Sequence, residues 1–171
     1  MTRLLILRHA EAASTSTSDL DRPLTRHGRH DANRIGVFLR THHWIPRKAY
    51  VSTAMRARET FSELCTQLHA PPKVSYEPTL YNASLNKLEA LLRTIPADLD
   101  CVLLIGHNPS IAELARALAT DGPGVDLAHL RRGFPPAALA VIEFDSPFGS
   151  SGAMEKGHLV RFIMPDLLPK A

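Results

Sequence analysis

Apolar residues enter this chain in two rhythms. Four short runs are continuously apolar but for Glu143 in the last: Leu4 to Leu7, Ala49 to Val51, Cys101 to Ile105 and Ala138 to Phe144. Such runs, bounded by turn residues, read as buried strands. Between them the apolar positions fall three and four apart, the spacing of a helix face. The spacing predicts a helix from Thr25 to about Thr41, with Ala32, Ile35, Phe38 and Leu39 inward. Thr25 suits its N-cap, and Pro46 blocks continuation. A second helix is expected over Met55 to Leu68, with Phe61, Leu64 and Leu68 inward, stopped by Pro71 and Pro72. A third covers Leu85 to Ile95, and a fourth Ile111 to Ala119. Val74 to Tyr76 makes a short strand, and Gly122, Pro123 and Gly124 a loop. Leu159 to Ile163 should pair with Ala138 to Phe144 across a Gly/Ser-rich connection at Gly149 to Gly152. Alternating strands and helices predict an α/β fold: a three-layer α/β/α sandwich around a mostly parallel sheet. With no repeat and no linker, residues 1–171 read as one domain.

The strand ends carry the chemistry. Strand one ends on Arg8 and His9. The Cys101 to Ile105 run ends on Gly106, His107, Asn108 and Pro109. In α/β sheets the C-terminal edge of the strands is where ligands bind. Asn108 suits a helix N-cap and Pro109 the first helical position. One histidine after a strand is usually structural; two in one chain point to a shared cleft. A third strand ends at Ser52 and leads into Arg56, in the first turn of a helix whose N-terminus attracts anions. Arg58 reads as an exposed helix residue. Arg22, before the Thr25 helix, reads on spacing alone as either a surface arginine or a third cationic group near the same edge.

Charge sharpens this reading. Twenty Lys and Arg against 17 Asp and Glu leave a formal net charge of +3. That suits an anionic ligand. The basic residues are scattered and no helix has a continuous basic face, so nucleic acid is not expected. No apolar run has membrane-spanning length and no signal peptide is evident, so the expected location is the cytoplasm. Cys65 and Cys101 lack metal-type spacing and are expected as free thiols. His42 and His43 before Trp44 read as a solvated helix end rather than a metal site.

Together these segments resemble the histidine phosphatase superfamily, the phosphoglycerate mutase-like fold. The resemblance rests on Arg8-His9 after strand one, the Ser-x-x-x-Arg-Ala-x-Glu-Thr run from Ser52 to Thr60, and Gly106-His107-Asn108-Pro109. The Arg-Pro-Leu-Thr-x-x-Gly run from Arg22 to Gly28 and the short length are most similar to the phosphohistidine phosphatase (SixA-like) branch. The resemblance runs from Leu4 to about Phe144. Where relatives often turn through Pro-Thr-Gly, this chain has Phe134, Pro135, Pro136 and Ala137, with no hydroxyl.

The resemblance implies a phosphatase with His9 as nucleophile and a phosphohistidine enzyme intermediate. It implies Arg8, Arg56 and Arg22 as phosphate ligands, and His107 as a hydrogen-bond donor to the phosphoryl group. No metal or cofactor is expected, since the arginines carry the charge. The larger relatives place a glutamate acid in an insertion that is short here. Glu77 is the nearest candidate and Asp21 a more distant one. A site without a strong acid suits phosphohistidine in a protein, because imidazole leaves as a neutral ring once its second nitrogen is protonated. A small-molecule phosphomonoesterase and a non-catalytic phospho-ligand module are the alternatives; a mutase would need a lid.

Overall fold

The computed structural model describes residues 1–148 and 155–168. Seven strands form one sheet: β1 Thr2–Arg8, β2 Lys48–Ser52, β3 Lys73–Glu77, β4 Cys101–Gly106, β5 Ala119–Asp121, β6 Leu139–Phe144 and β7 Gly157–Ile163. Their order across the sheet is β3-β2-β4-β1-β6-β7-β5. β3, β2, β4 and β1 run parallel; β6 runs antiparallel to both β1 and β7. Each apolar run became a strand because its side chains are buried on both faces of the sheet, as in β1, where Leu4 to Leu7 are fully buried.

Five helices cover the two faces: α1 Arg26–Thr41, α2 Met55–Cys65, α3 Leu85–Arg93, α4 Ser110–Leu118 and α5 Gly124–Arg132. Leu5, Leu7, Val51 and Leu103 pack with Ile35 and Leu39 of α1 and Phe61 and Leu64 of α2. Leu4, Ile6, Val102 and Leu104 pack with Leu88 of α3, Leu114 of α4 and Leu130 of α5. This is the expected three-layer α/β/α arrangement. Thr25 caps α1 by accepting the Gly28 N–H at 2.9 Å.

Several local expectations need correction. α2 ends at Cys65, not Leu68, because the Thr66 hydroxyl donates to the Glu63 carbonyl and the chain tightens; Leu68 is nonetheless buried. The sequence pattern gives only a loop at Gly122, Pro123 and Gly124 and no element for α5. Its buried residues are Asp126 and Leu130, so there is no apolar stripe to read. β5 is a three-residue strand of Ala, Thr and Asp, with no strand pattern. Asn108 does not cap α4; its amide donates to the Phe134 carbonyl at 2.9 Å, and Pro109 stands at the cap. The paired β6 and β7 are as expected, but the Gly149 to Gly152 connection lies outside the described residues. His42 is exposed, with its ring stacked near Phe38 and Trp44. Cys101 is buried and Cys65 half-buried, and both are free thiols.

Candidate active site

The site follows from strand register. β1 and β4 pair from Arg3 opposite Cys101 through to Arg8 opposite Gly106. The next residues are His9 and His107, so the ladder sets the two rings side by side, with centroids 5.0 Å apart. The His9 N–H bonds the Gly106 carbonyl at 3.1 Å, which continues the ladder into the site. Gly106 is required here, since a Cβ would come within 2.9 Å of the Ile111 side chain.

His9 is held in one tautomer. Its Nδ1 lies 2.7 Å from the carbonyl oxygen of Ala10, a partner that can only accept. Nδ1 therefore carries the proton and Nε2 the lone pair. That lone pair meets Arg56 Nε at 3.3 Å. Burial, and after it the nearby His107, Arg56 and Arg8, outweigh the Ala10 bond and lower the His9 pKa to about 3. The ring is neutral at ordinary pH.

His107 is buried and its Nε2 lies 2.7 Å from Ser52 Oγ. Ser52 Oγ accepts from the Ala54 N–H, and we assign its hydroxyl as donor to His107 Nε2. The ring proton then sits on Nδ1, which is buried and meets no acceptor among the described residues. Burial, reinforced by Arg56 and Arg8, lowers the His107 pKa to about 4.

Four arginines differ sharply in placement. Arg56 is 6% exposed despite its charge. The Asp19 carbonyl accepts from its Nη1 at 2.6 Å and the Asp19 carboxylate from its Nη2 at 3.1 Å. Arg8 Nη1 donates to the Phe134 carbonyl at 2.9 Å, while its buried Nε has no partner among the described residues. The Phe134 backbone, which also receives Asn108, thus organises a segment where a hydroxyl is missing. Arg22 stands one step back. It donates to the Ala13 carbonyl and to Asp19, and touches neither histidine. Arg58 is exposed, with its guanidinium carbon 5.0 Å from the Tyr76 ring centre.

Asp19 and Tyr81 are not among the residues the sequence singles out; Asp19 lies in the polar stretch between β1 and α1. The Asp19 carboxylate accepts from the Tyr81 hydroxyl at 2.6 Å, and from Arg22 and Arg56; these bonds hold it well below the usual carboxylate range. The Asp21 side chain accepts from the Ser18 hydroxyl and, among the described residues, meets neither histidine. Glu77 ends β3, opposite Ser52, at the expected sheet edge. It is three strands from His9, about 14 Å across the sheet at the usual strand spacing. A phosphoryl group on His9 is out of its reach; only a leaving group projecting towards β3 would meet it.

The remaining motif residues knit the site together. Thr60 Oγ1 accepts from the Ala10 N–H, behind His9. Glu59 accepts from the Leu24 N–H and from Arg29, tying the Arg22 to Thr25 segment onto α2. Two close, neutral imidazoles and two part-buried guanidiniums with unused N–H donors make a site suited to a tetrahedral oxyanion. The N-termini of α2 and α4 lie at the same edge and favour negative charge. No group of three or more metal-ligating side chains occurs among the described residues, and no helix there is long and apolar enough to cross a membrane.

Residues 4–99 match the family pattern of the histidine phosphatase superfamily, branch 1. The uncharacterized protein ML1117 of Mycobacterium leprae is 30% identical over 165 residues, covering 93% of this chain and 99% of that one. A solved structure assigned as the phosphohistidine phosphatase SixA from Nakamurella multipartitia superposes with a TM-score of 0.83 at 27% identity, covering 96% of both chains. The protein similarly assigned from Agrobacterium tumefaciens gives 0.79 at 28% identity, over 96% of this chain and 98% of that one. Fold, motif order and the paired histidines lead to one conclusion: the chain belongs to the histidine phosphatase superfamily.

Proposed function

We propose that residues 1–171 act as one phosphatase domain that removes the phosphoryl group from phosphohistidine in a protein. The observation that carries the reading is the His9 tautomer: Nδ1 is tied to the Ala10 carbonyl, so Nε2 carries the lone pair that attacks once the phosphoryl group takes the place of Arg56 beside it. Likeness to proteins assigned as SixA supports the same substrate class. In the first step His9 Nε2 bonds to phosphorus and the P–N bond of the substrate breaks. The bonding pair goes to the leaving imidazole, which departs neutral because its other nitrogen is already protonated from solvent. In the second step water adds to phosphorus, the bonding pair returns to His9 Nε2, and dihydrogen phosphate leaves with both water protons.

Arg8 and Arg56 hold the phosphoryl oxygens and balance the charge that spreads over them in the transition state. His107 donates from Nδ1. Arg22 acts through Asp19, keeping Arg56 aimed at His9. The positive charge at the reacting group comes from these side chains, and the mechanism calls on no metal or cofactor. Two free thiols fit the reducing cytoplasm.

A small-molecule phosphomonoesterase is the second reading. Glu77 favours it, as a carboxyl at the same sheet edge with no hydrogen bond or ion pair among the described residues. The deciding assay measures kcat/KM on a phosphohistidine peptide, an aryl phosphate and phosphoglycerate, for the wild type and Glu77→Gln. The account expects the peptide to be preferred and Glu77→Gln to leave it intact. Preference for the esters, with a large loss on them in Glu77→Gln, would establish the monoesterase.

A further inference from the structure

Tyr81 borders the cleft, and the mechanism above does not use it. Its place is set from below. It leaves a single helical turn, Pro78–Leu80, whose Leu80 is 1% exposed in the core, and its N–H bonds the Pro78 carbonyl at 3.1 Å. Asn82 follows with φ of 54°, in the left-handed region that asparagine tolerates better than most residues. The ring is also set from above, since its hydroxyl donates to Asp19 at 2.6 Å.

Held at both ends, the ring lies beside the reacting groups. It stands edge-on to His107, with centroids 5.6 Å apart and planes at 87°. The Arg56 guanidinium carbon is 5.9 Å from its centre. A phosphoryl group on His9 would sit beside Arg56, and the Tyr81 ring lies next to both Arg56 and His107. Its hydroxyl is engaged by an ionised carboxylate and is not free to protonate a leaving group. What it offers is a flat, rigid aromatic surface.

We propose that Tyr81 is the specificity residue for the leaving group, packing its ring against the departing imidazole of phosphohistidine. The proposal rests on the phosphohistidine reading. Aromatic rings in contact gain a modest amount beyond burial, which corresponds to about 3- to 10-fold in rate.

The test compares two substrates that share a P–N bond. A phosphohistidine peptide has a ring in its leaving group; phosphoramidate, which releases ammonia, has none. The variants are Tyr81→Leu, which removes the aromatic surface, and Tyr81→Phe, which keeps the ring but loses the bond to Asp19. The expected result is a loss of about 3- to 10-fold in kcat/KM on the peptide for Tyr81→Leu, with phosphoramidate hydrolysis retained and Tyr81→Phe preserving the wild-type ratio. Retained phosphoramidate activity also reports a folded site. Equal losses on both substrates in Tyr81→Leu would overturn the proposal. So would a loss in Tyr81→Phe as large as in Tyr81→Leu, because the residue would then act only by holding Asp19. A wild-type protein that cleaves phosphoramidate but leaves the peptide intact overturns the substrate reading, and this proposal with it.

Discussion

Arg56 Nε points at His9 Nε2 across 3.3 Å, and the far side of the same guanidinium is held by Asp19. A cation aimed at the lone pair adds to the burial that keeps the imidazole neutral, and it marks where an incoming phosphoryl oxygen would replace it. Arg58, two residues on, points outward to Tyr76. The two arginines should therefore respond very differently to removal. Arg56→Ala, and likewise Arg8→Ala, should cost ~3–4 kcal/mol of transition-state stabilisation, the scale for loss of one electrostatic donor. Arg58→Ala should stay within about 0.5 kcal/mol. Steady-state kcat/KM on one phosphorylated substrate reads all three. Equal losses at Arg56 and Arg58 would refute the assignment.

The histidine pair should have a clear pH signature. Ring nitrogen shifts of His9 and His107 should remain those of neutral imidazole from pH 8 to pH 5, with the His9 proton on Nδ1. Both pKa values fall below the ordinary 6.5, to about 3 and about 4. The unfolded chain then takes up protons first as pH falls. The stabilisation from keeping both rings neutral is complete above pH 6.5 and is lost as pH falls from there through about 4 and 3. Denaturant unfolding at pH 7.5 and 4.5 should show the loss, and a His9→Ala, His107→Ala double variant should show less of it. A titration of either ring near 6.5 would contradict the described environment.

Gly28 should be a strict requirement of stability. Its α carbon lies so close to the chain near strand one that an added Cβ would come within 2.1 Å of the Glu11 carbonyl oxygen, a backbone atom. The same turn holds the Thr25 cap, whose N–H bonds the Glu11 carbonyl. Gly28→Ala should destabilise by about 1–3 kcal/mol, the scale of forced overpacking. Thermal unfolding checks it; an unchanged Tm would mean that the turn is loose.

Much of this was legible in the chain because the chemistry sits directly on the pattern. His9 and His107 each follow a continuous apolar run, and such runs can be read without knowing their partners. What they could not reveal was register. Nothing local says that Arg8 lies opposite Gly106, yet that pairing alone brings the two rings together. Arg22 was legible as a motif residue, but its partner was not. Asp19 lies in a polar loop without periodicity and gains its role from Arg56, 37 residues away, and Tyr81, 62 residues away. α5 escaped for a related reason: its Asp126 is buried to receive the Phe162 N–H, and a polar buried residue erases the apolar stripe. Gly28 and Glu59 were visible as motif letters, while their tasks as close approach and as bridge appear only in three dimensions.

The central claim is that His9 becomes covalently phosphorylated. The direct measurement is a rapid acid-free quench of the protein during turnover of a phosphorus-labelled phosphohistidine peptide, followed by mapping of the labelled residue. The account predicts one labelled site, on Nε2 of His9, with a bond that survives alkali and breaks in acid, and no label in His9→Ala. Label on His107 or elsewhere, or full turnover by His9→Ala, would contradict it.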